Sequence, residues 1–241
     1  MIRSLHAELS KLNGSLALLV LAIAPGLPGL LALLSLLSAK KAPLWTSVVN
    51  EFVLPLWAFF LLPMTVTAFA TLVAQIEYKA HAWDHMLALP IARFRIFIAK
   101  AVIVLTAVFA MTIFVILFTI AGAGIGGLLS GQMPLGAIPW VRMARAVPMI
   151  TVAASCFVML QLWVALRFSS FVVPLAVGIS GTLVSLAVLM TRSDKADWFP
   201  WVLPFRALTQ SDPTSFLWLG GAGGGVVLAV MVLDLQRRPL R

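Results

Sequence analysis

The stretch LALLVLAIAPGLPGLLALLSLL, residues 16–37, runs for 22 positions without a charged side chain. A hydrocarbon core about 30 Å thick is crossed by about 20 apolar residues in a helix, so this run is long enough to span a bilayer. Comparable runs follow at about 52–74, 96–121, 147–166, 171–190 and 216–233. The pattern predicts an all-α integral membrane protein with six transmembrane helices, the first covering about 15–37. Composition agrees: 62% of residues are hydrophobic and 10% charged, with a mean hydropathy of +1.07. Too little polar surface remains to coat a soluble globule. Six spans and their connections use up the 241 residues, so residues 1–241 read as one transmembrane domain.

A net charge of +9 would suggest nucleic acid if the bases lay along one face. Here they sit at the ends of apolar runs, which is the positive-inside signature; membrane lipid is the expected partner and nucleic acid is not. With the N-terminus inside, Arg3, Lys11, Lys79, Arg93, Arg95, Lys100, Arg167, Arg237, Arg238 and Arg241 fall in the cytoplasm. Lys40, Lys41, Arg142, Arg145, Arg192, Lys195 and Arg206 fall outside. The bias favours both termini in the cytoplasm.

Arg3 and Lys11 precede the first run as a signal peptide's basic region would. The run is longer than a signal core, however, and no A-x-A site follows, so it is expected to be retained. Pro25 and Pro28, with Gly26 and Gly29, should kink or unwind it. Pro55 and Pro63 fall in the second run, and the glycine-rich GAGIGG of residues 122–127 reads as a helix break or a close-packing site. Before the first run, Ile2, Leu5, Leu9 and Leu12 fall on one helical face, with Arg3, Glu8 and Lys11 expected to face water, as in an interfacial elbow helix.

The scarce charges crowd into EYKAHAWDHMLALPIARFRIFIAK, residues 77–100. On a short helix over about 80–89, Trp83, Met86 and Leu87 share a face, while Asp84, His85 and Ala88 lie elsewhere. Pro90 ends that helix, Arg93 and Arg95 can reach phosphates or a partner, and Lys100 can snorkel at the start of the third span. Such a loop is either an interfacial anchor or a lever gripped by another protein.

Three stretches carry a resemblance that bears on this choice. Glu77 followed by WDHMLALPIARFRIFIAK resembles the cytoplasmic loop of permease subunits in type-2 ABC exporters, especially the lantibiotic-immunity and bacitracin-resistance-like group. LQLWVALRFSSFVVPLAVGISG, residues 160–181, is similar to the family's fourth span, basic turn and fifth span. WFPWVLP, residues 198–204, resembles the external segment before its last span. The resemblance implies a permease half in a bacterial cytoplasmic membrane, with an elbow helix at its start. It pairs with a second permease half, identical or homologous, above two ABC ATPase subunits. It also implies that the 77–100 loop holds a coupling helix docked on the ATPase, with Glu77, Trp83, Asp84, His85, Leu87 and Leu89 as contacts and Arg93 and Lys100 positioning the loop. The histidines His81 and His85 depart from common members.

No G-x-x-x-x-G-K-[ST] phosphate loop occurs, so no cofactor is expected in this chain; ATP and Mg belong to the ATPase partner. Ser169 and Ser170 beside Arg167 form a turn without a base, and no nucleophile arrangement marks an enzyme. His6, His81, His85 and the lone Cys156 show no metal-ligand spacing. Gln161 and Thr182 are expected to make interhelical hydrogen bonds, Glu51 to lie at an interface, and Trp198, Trp201 and Trp218 to form an outer aromatic belt. The function expected is ATP-driven export of an antimicrobial peptide or other amphiphile. A secondary carrier would mark its ion path with intramembrane carboxylates. A non-transporting membrane scaffold is the remaining alternative.

Overall fold

The computed structural model describes residues 8–79, 93–191 and 194–237. A short helix, α1 (8–12), ends where Gly14 takes φ +75°, and Ser15 opens the first span by accepting a hydrogen bond from the Leu18 N–H. That span consists of α2 (Leu16–Ile23) and α3 (Gly26–Leu37), broken at Ala24–Pro25. The proline-based expectation of a kink holds, because Pro25 cannot donate the hydrogen bond that would continue α2.

Five more long helices follow: α4 (Ser47–Tyr78), α5 (Arg93–Ser130), α6 (Trp140–Arg167), α7 (Val172–Met190) and α9 (Thr214–Arg237), with the short α8 (Leu203–Thr209) before the last. The six spans are those expected from the sequence, all-α and long and apolar enough to cross a membrane. Four of them overrun the apolar runs appreciably. The reason is physical: hydrophobicity marks the part in lipid, whereas helical hydrogen bonding continues beyond it where neighbouring helices pack. At 38 residues, α5 is about 57 Å long, well beyond a bilayer's hydrocarbon thickness. Two π-helical stretches, Ser47–Val53 and Trp57–Leu61, flank Pro55 in α4. There the wider turn accommodates the donor that proline lacks.

The GAGIGG segment does not break its helix, which continues to Ser130 and stops where Gly131 takes φ +71°. The glycines serve close packing instead. A Cβ on Gly122 would stand 2.1 Å from the Gly29 carbonyl oxygen, and one on Gly29 would stand 2.5 Å from the Phe118 carbonyl oxygen. Thus α3 and α5 touch backbone to backbone, as small residues allow between helices in lipid.

The core lies between α4, α5 and α6, where Trp57, Phe69, Phe97, Met111, Phe157 and Leu162 are fully enclosed. Trp57 Nε1 donates to Thr112 Oγ1 at 3.3 Å, so the buried indole has its partner. Apolar side chains on α2, α3, α7 and α9 point outward over much of their length, as a lipid-facing surface requires. Trp201 departs from the expected aromatic belt. It is only 6% exposed, stacked on Phe199 at 5.3 Å and set against Phe157 at 5.8 Å. Trp198 and Trp218, at 66% and 72% exposed, do stand at the surface. Thr182 also departs from expectation, since its hydroxyl donates to Gly178 O one turn back in its own helix. Gln161 does bond between helices, from Nε2 to Pro174 O at 2.8 Å.

A charge clasp at the mouth of the 80–92 segment

Three charged residues at the end of the bundle that carries α1 are buried. Lys100 lies two turns into α5 and is 1% exposed; Glu77, near the end of α4, is also 1% exposed, and Glu8 on α1 is 6% exposed. Lys100 Nζ donates to Glu77 Oε1 at 2.6 Å and to Glu8 Oε2 at 2.7 Å. Lys11, one turn after Glu8, donates to Glu8 Oε1 at 2.5 Å and to Glu77 Oε1 at 3.2 Å. Two carboxylates and two ammonium groups thus form a neutral, cross-linked quartet joining three helices.

This corrects two expectations. Lys100 does not snorkel, because carboxylates from α1 and α4 meet it before it could reach water. Glu8 does not face solvent, and Leu9 does, at 52% exposed; α1 is turned so that its acid, rather than its leucine, enters the protein. A buried ammonium without a counter-charge costs several kcal/mol, about 3–5 when a pair is broken, and that penalty outweighs one leucine's exposure.

The electrostatics of the accessible side of the clasp follow from these contacts. Burial alone would raise the Glu8 pKa, but the Lys100 charge and hydrogen bond, with those of Lys11, outweigh it and hold the carboxyl below its ordinary range. Burial alone would lower the Lys11 pKa; hydrogen bonding and charge from Glu8, then Glu77, raise it instead. Both shifts favour the ionised forms of Glu8 and Lys11 at neutral pH.

Further contacts pin the same end. Tyr78 donates its hydroxyl to Leu166 O at 2.6 Å, and Gln75 Nε2 donates to Ser169 O at 2.9 Å, fixing the end of α4 to the α6–α7 turn. Arg167 forms an ion pair with Asp234, whose Oδ2 also accepts from Trp163 Nε1 at 3.0 Å, fastening α9 to α6. Arg93, exposed at the start of α5, directs Nη1 toward Gln236 O at 3.5 Å. The two chain ends that flank residues 80–92 are thereby held to the bundle on several sides.

Of the residues expected to couple to a partner, Glu77 and Lys100 are brought into direct contact and Arg93 stands at the rim. Trp83, Asp84, His85, Leu87 and Leu89 lie outside the described residues. Sequence reasoning missed Glu8 and Lys11 as members of this cluster. A signal was present: Lys100 sits inside an apolar run, a charge there needs a counter-charge, and the acids at that end of the chain are few. The quartet is neutral and sits at the helix ends, whereas the ion sites of secondary carriers lie near the bilayer midplane; its design is that of a fastening. Glu51, by contrast, is exposed on the first π-helical stretch of α4, consistent with an interfacial acid.

A family model described as ABC-2 family transporter protein matches residues 4–185. Comparison with curated proteins and with solved structures gives no match. The matched region contains the first four spans, most of the fifth and the whole charge clasp. The chain belongs to the ABC-2 transporter family: it is a multi-pass membrane permease subunit, of a kind that works with an ABC ATPase.

Proposed function

We propose that this chain is one permease half of an ATP-driven exporter. Residues 1–241 form a single permease domain in a bacterial cytoplasmic membrane, with both termini and the 80–92 segment in the cytoplasm. A second permease half completes the pathway, and two ATPase subunits, carrying ATP and Mg, dock on the 80–92 segment through Trp83, Asp84, His85, Leu87 and Leu89. The substrate is amphiphilic, an antimicrobial peptide being one such molecule, and moves outward.

The observation that carries this reading is the clasp of Glu8, Lys11, Glu77 and Lys100. It ties both flanks of the 80–92 segment to each other and to α1 through the short, buried contacts of Lys100 with Glu77 and Glu8. A push on that segment is therefore delivered to α4 and α5 together, instead of being absorbed at loose helix ends. A loop that served only to anchor the protein in lipid would gain nothing from so stiff a mounting.

A Cys replacing Asp84, on a Cys156→Ser background, should crosslink to the ATPase that co-purifies with the tagged chain. Trp83→Ala with Leu87→Ala should remove an aromatic and aliphatic anchor of the kind that costs about 2 kcal/mol or more at an interface. ATPase co-purification and transport should fall together while membrane insertion survives. Absence of the crosslink with undiminished co-purification would overturn the docking assignment.

A further inference from the structure

At the opposite end of the bundle, a cavity of about 750 Å³ lies between the start of α6 and the segment that follows α8. Its charged lining residues are Arg142 and Arg145, with Gln210 and Ser211 facing them. Beside it, a groove of about 510 Å³ runs between α5 and α6 and is lined entirely by apolar residues, among them Phe109, Ile113, Leu117, Val147 and Pro148. Trp140 lines both. From Trp140 to Pro148 the groove follows α6 for about 12 Å toward the middle of the span.

The two arginines are exposed side chains on the wall of this cavity. The buried and partly buried cations of the bundle have carboxylate partners: Lys100 with Glu77 and Glu8, Arg167 with Asp234, and Arg206 with Asp197 at 2.8 Å. Arg142 and Arg145 make no hydrogen bond or ion pair with any described residue. They also sit in the first two turns of α6, where the helix dipole disfavours positive charge. An anion in the cavity would relieve both effects, and an apolar chain attached to that anion would have the adjoining groove to enter.

We propose that cavity and groove form one binding site for a phosphate-bearing, lipid-like amphiphile, its headgroup against Arg142 and Arg145 and its chain between α5 and α6. Charge complementarity selects this occupant: a cationic amphiphile is repelled by the arginine pair, a neutral one leaves the pair unanswered, and a free anion has no use for the groove. The site goes beyond the exporter reading and does not depend on it, because binding requires neither an ATPase nor a direction of transport.

The test uses the purified full-length chain in maltoside micelles, with bound lipid counted by native mass spectrometry during titration. Phosphatidylglycerol is the probe, diacylglycerol with the same chains removes the phosphate, and inorganic phosphate removes the chains. With each arginine near a membrane surface contributing a modest electrostatic share, Arg142→Gln with Arg145→Gln should weaken phosphatidylglycerol roughly 30-fold and leave diacylglycerol unchanged. The charge-retaining pair Arg142→Lys with Arg145→Lys should recover most of the binding, which separates loss of charge from loss of fold. Ala144→Trp, which fills the groove from α6, should weaken both lipids. Equal phosphatidylglycerol binding by the wild-type and double-Gln chains would overturn the headgroup assignment. Inorganic phosphate binding as tightly as the lipid, or indifference to Ala144→Trp, would overturn the groove.

Discussion

Replacing Lys100 with Met tests the clasp most directly, because the side chain keeps its length and loses only its charge. At an effective dielectric constant near 20, each contact of 2.6–2.7 Å is worth about 6 kcal/mol of Coulomb attraction, against a desolvation penalty of several kcal/mol per ion. The net outcome of removing one partner from a buried pair is a loss of about 3–5 kcal/mol. Here it should fall near the upper end, since two carboxylates lose their central cation and only the half-exposed Lys11 remains between them. Removing a carboxylate as well should restore part of the loss. In a double-mutant cycle, Lys100→Met with Glu77→Gln should be more stable than Lys100→Met alone. The assay is thermal unfolding of the purified chain in micelles, followed by tryptophan fluorescence, together with protease access to the N-terminal segment, which the clasp holds against α4 and α5. Both readouts should worsen in the single variant and recover partly in the double. A Lys100→Met chain with unchanged melting and unchanged protease resistance would refute the view that the quartet fastens these helices.

Acidity should act on the same contacts. The depressed Glu8 pKa means that its contribution is present above the ordinary carboxylate value near 4.5 and is lost as pH falls through the lower, folded-state value; the raised Lys11 pKa means its contribution is present below about 10.5 and lost as pH rises through the higher one. Melting temperature should therefore hold a plateau through neutral pH and drop in acid, and Glu8→Gln should flatten the acid limb; an acid limb unchanged by that substitution would count against the assignment. Gly122→Ala should force α3 and α5 apart at a backbone contact and cost about 1–3 kcal/mol, whereas Gly124→Ala, whose added Cβ meets nothing within 4 Å, should be tolerated; equal melting of the two variants would contradict the packing. Trp201→Ala should cost about 3–5 kcal/mol through the cavity it leaves, while Trp218→Ala, at the exposed surface, should leave melting unchanged.

The membrane class and the six spans were legible because the physics that dictates them is local. A run of about 20 apolar residues has one stable disposition, and it can be recognised without knowing its neighbours. The break at Pro25 was legible for the same reason, as a missing donor acts within one turn of its own position. The motifs from Glu77 to Lys100 and 160–181 likewise marked the family, and both lie within the matched residues 4–185. What could not be read was the direction in which individual side chains face. Glu8 and Leu9 are adjacent, and helical periodicity with hydrophobicity turns the leucine inward. The structure turns the glutamate inward because Lys100, 92 positions away, lies across from it, and pairing a buried charge outweighs hiding one leucine. GAGIGG was ambiguous between break and contact until α3 presented the Gly29 backbone to it, and Trp201 was ambiguous between belt and core until Phe157 and Phe199 closed around it. Arg142 and Arg145 read as external charges and are exposed, but only α8 and the segment after it set a cavity beside them. Each of these outcomes depends on which surface arrives from a distant part of the chain, and no window of sequence contains that information.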